Sequence, residues 1–166
     1  MTYTTEFGSL KSFSKGRVEP IGDDPRHYAF SNLFEVASNA RAYEKVAVAK
    51  NLEYVIEAIR AEGVSEWRIA DHDETALIMD GTVIVELFDL DNPDIVASGT
   101  GGSVRLEAEP VGTPMGHVVA GRGHMVLLPA KHAYRFRAAQ PSVLLLQTIA
   151  GVDTVERWAT ICQTML

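Results

Sequence analysis

The residues best able to do chemistry in this 166-residue chain fall in two short segments. The first, Ala70–Gly81, reads ADHDETALIMDG and carries His72 and Glu74 two positions apart. Alternate side chains of a strand project to one face, so residues 70, 72 and 74 point the same way if the strand is continuous. An imidazole and a carboxylate on one face are ligand types for a divalent metal, but the third member of that face, Ala70, has no donor. The second segment, Gly121–Phe136, reads GRGHMVLLPAKHAYRF and offers His132 and the phenol of Tyr134. His132 shares Tyr134's face but sits about 6–7 Å back along a strand. Non-haem iron sites of the histidine and carboxylate kind use at least three protein ligands, so His72 and Glu74 alone hold a metal poorly. Two outcomes stay open. Either His72 and Glu74 hydrogen-bond to each other or to Tyr134 in a metal-free interior, or a displaced histidine (His117, His124 or His132) completes a site.

A buried carboxylate without a metal needs hydrogen bonds or a cation beside it. Arg68 has the strand parity of Ala70, His72 and Glu74 and is expected to point inward near the mouth. Arg135 and Arg137 alternate with Tyr134 and Phe136, which places them on the opposite face as surface or interface groups. Trp67, next to Arg68, is either a core-edge aromatic or an aromatic that lines a partner's pocket.

The elements that must position these residues are short strands. Thr82–Phe88 alternates Val83, Val85 and Leu87 against Thr82, Ile84 and Glu86; Ser103–Ala108 sets Val104, Leu106 and Ala108 on one face. Gly116–Ala120, Met125–Leu128, His132–Arg137 and Val143–Ile149 continue the series, with Gly and Pro between them, which predicts a sandwich or barrel. Glu44–Lys50 is a weak strand, alternating Lys45, Ala47 and Ala49 against Val46 and Val48. Leu52–Ile59 suits either a helix or a buried strand. Residues 1–40 read as an N-terminal arm with a turn at Gly22-Asp-Asp-Pro25, residues 41–150 as the core, and residues 151–166 as a C-terminal helix, all within one domain. That helix is expected to start with a capping box from Asp153 to Glu156 and to align Val155, Trp158, Cys162 and Met165 in an apolar stripe, packed on its own sandwich or on a partner.

Composition excludes several classes. A formal net charge of −7 without a basic run argues against nucleic-acid binding. Apolar stretches such as Val143–Leu146 fall far short of the roughly 20 residues that span a bilayer. The first residues lack the apolar centre of a secretory signal, and one cysteine, Cys162, fits a reducing cytoplasm.

Ala70–Gly81 resembles the first cupin motif, with His72, Glu74 and Gly81 in place and Ala70 at the first histidine. Gly121–Phe136 resembles the second, with Gly123 and Pro129 in place, Lys131 at the second glycine and Tyr134 at the histidine. The resemblance implies an all-β cupin jelly roll that keeps two ligand positions (His72, Glu74) and has lost two (Ala70, Tyr134). More of the chain joins in. The runs DPRHYAFSNLFEVA, AVAKNLEYVIEAIRAEGVSEWRIADHDETALIMDG, VVAGRGHMVLLPAKHAYRF and VERWATICQ resemble the small subunit of two-component hydroquinone 1,2-dioxygenases. That resemblance implies a larger cupin partner in an α2β2 assembly and Fe(II) held by the partner, with no metal and no certain catalytic residue in this chain. It also implies a small aromatic substrate opened with O2 to 4-hydroxymuconic semialdehyde. Trp67 is the substrate-pocket residue it suggests, with Arg68, Tyr134 and the C-terminal helix as weaker candidates. A stand-alone small-molecule-binding module and an independent metalloenzyme are the competing expectations.

Overall fold

The aliphatic, alternating runs become strands because one face of each can be buried while the Gly and Pro segments between them turn the chain. The computed structural model describes residues 8–13 and 32–161. Its strands are β1 (Lys45–Asn51), β2 (Tyr54–Val64), β3 (Arg68–Ala70), β4 (Glu74–Asp80), β5 (Thr82–Leu90), β6 (Ser103–Arg105), β7 (Gly112–Gly121), β8 (Met125–Leu128), β9 (Ala133–Ile149) and β10 (Thr154–Val155). Two short helices flank them, α1 (Leu33–Ser38) and α2 (Trp158–Ile161).

Strand β9 is the spine. Its first residues pair with β3 and β5, and its later residues pair with β2 and β4. This shared strand joins a layer in the order β10-β1-β2-β9-β4-β8 to a layer in the order β6-β3-β9-β5-β7. The two layers curl around one interior, the jelly-roll arrangement of an all-β cupin fold. Tyr134, Phe136 and Ala138 from one half of β9, and Leu144 and Leu146 from the other, meet Ile59, Ile78, Val83, Val85 and Leu128 there. These side chains are nearly all under 4% exposed, so the interior is filled with packed side chains.

Several local expectations change. Of Leu52–Ile59, Leu52 and Glu53 form a turn and residues 54–59 are strand, because β2 forms a hairpin with β1 (Asn51↔Tyr54) and lies along β9 over most of its length. Tertiary pairing overrides the helical composition there. The segment read as an arm contains α1, whose N-cap Asn32 accepts from Phe34 N and whose Phe34, Val36 and Ala37 are buried. Strand β6 stops at Arg105, so Leu106 and Ala108 belong to the following loop. No capping box forms at Asp153: Thr154 and Val155 pair in parallel with Lys45 and Val46, and Glu156 instead accepts from Lys50 and from the Trp158 indole. Long-range contacts with β1 thereby outcompete one extra helical turn. The Gly22–Pro25 turn, Cys162 and Met165 lie outside the described residues.

Candidate functional site

The two motif segments do meet in the interior, with only part of the expected alternation. Strand β3 ends at Ala70, the chain bends through Asp71 and His72, and β4 begins at Glu74. Outside the barrel the bend is held by Asp71, which accepts from Gly99 N and pairs with Lys131, and by Asp73, which accepts from Ala130 N. The Lys131 ammonium holds the Asp71 carboxyl below its usual range. Lys131, at the motif's second glycine, keeps a left-handed backbone (φ 65°) that ordinarily favours glycine.

Because of this bend, a single strand face does not carry residues 70, 72 and 74. Glu74 is 1% exposed and accepts the Tyr134 hydroxyl at 2.5 Å. His72 instead turns to Thr148, with Nε2 2.9 Å from Oγ1, and lines a shallow pocket of about 200 Å³ with Tyr54, Asp73, Thr75 and Gln147. The expectation of His72 and Glu74 acting as one pair therefore fails, while the bond from Tyr134 to Glu74 is present. Burial pushes the Tyr134 hydroxyl well above its usual pKa, and the Glu74 carboxylate adds to this; Ser103 and Arg68 pull weakly the other way. Tyr134 is therefore a proton donor to Glu74 throughout the neutral range.

The interior holds two further charges that the pattern of the sequence concealed. Lys45, 4% exposed, donates to Ser103 Oγ at 2.9 Å and lies 3.4 Å from Glu57, which is fully buried. Glu57 also accepts from Thr154 Oγ1 at 2.6 Å. Ser103 is the register partner of Ala70 across β3 and β6, so the emptied histidine position abuts this group. Alternation on β1 set Lys45 and Ala47 against Val46, yet all three are buried, because β1 is packed on both faces. Ser103, Thr154 and Glu57 carried no motif signal at all.

Arg68 lies across from Tyr134 in the β3–β9 register, partly buried, donating to the Ser103 carbonyl and pairing with Asp153 at 2.9 Å. Trp67 takes the other side of the strand. It packs in an outer cluster with Ile69, Leu90, Val96 and Ala133, meets Phe88 edge-on at 5.9 Å, and donates Nε1 to Glu109. The Arg135 guanidinium lies 4.5 Å from its ring centroid. Trp67 borders a surface groove of about 650 Å³ with Glu66, Arg105, Leu106, Glu109 and Arg135. Trp67 and Arg68 thus serve different surfaces. Arg135 and Arg137 face outward as expected, both paired with Glu86; burial raises the Glu86 carboxyl, and the two guanidiniums more than reverse this.

The displaced-histidine alternative does not fit this arrangement. His117 and His124 are exposed, and His132 hydrogen-bonds Ala130 O and faces Asp89. Among the described residues, no three His, Cys, Asp or Glu side chains group as metal donors. The interior offers a carboxylate tied to a phenol and an ammonium tied to a second carboxylate, a donor set that does not suit a divalent ion.

A jelly roll whose two motif segments meet inside the barrel defines a cupin-fold protein. No family model and no curated protein matches the chain. Among solved structures, it is 54% identical to a chain of hydroquinone 1,2-dioxygenase from Sphingomonas sp. TTNP3 with 4-hydroxybenzoate bound, covering 99% of this chain and 100% of that one with a TM-score of 0.94. It is 52% identical to a chain of hydroquinone 1,2-dioxygenase PnpCD in complex with Cd2+ and 4-hydroxybenzonitrile, covering 98% of each with a TM-score of 0.92. A longer chain of PnpCD, in complex with Fe3+, shares only the fold: 13% identity and a TM-score of 0.63, over 87% of this chain and 41% of that one. The chain belongs to the hydroquinone 1,2-dioxygenase family and is a subunit of an oxidoreductase of the dioxygenase class.

Proposed function

We propose that this chain is the small, metal-free subunit of a heteromeric, Fe(II)-dependent dioxygenase that opens hydroquinone to 4-hydroxymuconic semialdehyde. The observation that carries this reading is full-length identity above 50% to chains of two hydroquinone 1,2-dioxygenases, one of which also has a longer chain of the same fold. The interior donor set supports iron residing in that larger partner, in an α2β2 assembly. Both atoms of O2 enter the product, so the reaction needs no external reductant. Iron in the partner supplies the dioxygen chemistry.

This chain's own part is to pack against the large subunit, stabilise it and wall the substrate pocket. Trp67 beside the surface groove is the side chain we assign to confining the aromatic ring. Arg68, held by Asp153 and the Ser103 carbonyl on a different surface, is the weaker candidate for a substrate contact. No helix among the described residues is long and apolar enough to cross a membrane, and the single cysteine fits a reducing cytoplasm.

The test is co-expression with a cupin chain of about twice this length, followed by oxygen uptake on hydroquinone with Fe(II). Turnover is expected only when both chains are present. Equal turnover by this chain alone with Fe(II) would sink the proposal.

A further inference from the structure

Lys45 raises a physical question that the dioxygenase reading leaves unanswered. An ammonium at 4% exposure is costly to bury unless it is paired, and an apolar side chain would fill the same space without that cost. Its partners are specific: Ser103 Oγ at 2.9 Å and Glu57 at 3.4 Å. Ser103 stands opposite Ala70 across β3 and β6, while Tyr134, on the strand that pairs with the other edge of β3, donates to Glu74. One set of contacts therefore runs Glu57–Lys45–Ser103 and ends opposite the motif position Ala70, and a second joins Tyr134 to Glu74. The other cation facing this group, Arg68, is held by Asp153 and the Ser103 carbonyl. His72 turns away to Thr148, and Thr154 adds only its hydroxyl.

We infer that Lys45 is the resident cation of this barrel: its ammonium, fixed by Glu57 and by Ser103 opposite Ala70, supplies the positive charge beside an emptied ligand position. A metal entering beside Ala70 would meet a like charge, and Glu74 is already committed to the Tyr134 phenol. The fixed ammonium also ties β1 to β6 through Ser103, and shares Glu57 with Thr154 of β10. This inference rests on the reading that iron belongs to the partner.

The experiment is a thermal-unfolding cycle on the full chain, alone and in the complex. Lys45→Met and Glu57→Gln each leave a buried charge unpaired and should lower the midpoint by about 10 °C. The double variant Lys45→Met/Glu57→Gln should recover at least half of the Lys45→Met loss. Apolar packing alone predicts additive losses instead, and additive losses overturn the inference, as does a Lys45→Met midpoint equal to wild type. If Lys45→Met fails to fold, the double variant must fold; its failure also overturns the inference. Added Mn2+ separates the two readings. A wild-type midpoint that rises with Mn2+, with the rise abolished by Glu74→Gln, shows a metal in this barrel and removes both. No Mn2+ effect together with additive losses removes Lys45's role alone.

Discussion

Tyr134 and Glu74 carry the densest information in the interior. Their 2.5 Å bond leaves one Glu74 oxygen, Oε1, without a hydrogen bond among the described residues, so the phenol is the main compensation for a buried carboxylate. Tyr134→Phe removes it at nearly constant volume. The expected cost is about 1–3 kcal/mol, read as a lower midpoint in chemical or thermal unfolding. The raised pKa has a sign that can be checked. Folding favours the neutral phenol, so this stabilisation is complete below about pH 10, where an exposed tyrosine ionises, and is lost as pH rises further. Tyr43, pushed up to about 12 chiefly by burial, acts in the same direction between pH 10 and 12. Ultraviolet titration should find part of the tyrosine signal delayed beyond pH 10 until the protein unfolds; titration of every tyrosine near 10 in the folded state would contradict this. Trp67 is buried in the outer cluster and borders the surface groove. At 9% exposure its replacement by Ala would cost packing as well as function, so Trp67→Phe is the cleaner probe. In the complex it should lower kcat/KM several-fold with an unchanged circular dichroism spectrum, and unchanged kinetics would remove Trp67 from the pocket.

At the scale of elements, the turns decide where the site residues fall. Gly81 joins β4 to β5 with φ +75°, and a Cβ built there would lie 2.2 Å from Ser142 Oγ on β9. The glycine is therefore required both by its backbone and by its neighbour. Gly81→Ala should destabilise the chain by several kcal/mol, combining a left-handed alanine with displacement of Ser142. Loss of soluble protein, or a midpoint drop of several degrees, is the expected reading; a neutral effect would mean that the hairpin relaxes freely. The bend at Asp71–His72 has the opposite effect on legibility. It is fixed by Gly99, Ala130 and Lys131, residues remote in sequence, and it turns His72 out of the face it would share with Glu74. Segment 153–156 behaves alike: its contacts with Lys50 and β1 lie about a hundred positions away.

At the scale of the molecule, one shared strand explains both the filled interior and the subunit role. Because β9 runs through both layers, its inward residues Tyr134 to Leu146 form the middle of the core, and the two motif segments are brought against it. A barrel filled in this way agrees with the proposed role of packing against a larger subunit. In the co-expressed complex, iron should therefore follow the larger chain, one ion per large subunit, by metal analysis. Two ions per pair of chains would contradict the proposed division of labour.

The sequence by itself determined the fold class and the family. Each of these is written in local alternation or in long stretches of resemblance. Only the tertiary structure decided that Tyr134 bonds Glu74, that His72 leaves that pair, and that Lys45 and Glu57 sit inside. The physical reason is that a side chain's surroundings depend on which remote strands cover it. Alternation on β1 marks a polar residue at 45, but the layers above and below that strand are set by pairings with β2 and β10, and these turn Lys45 into an interior charge.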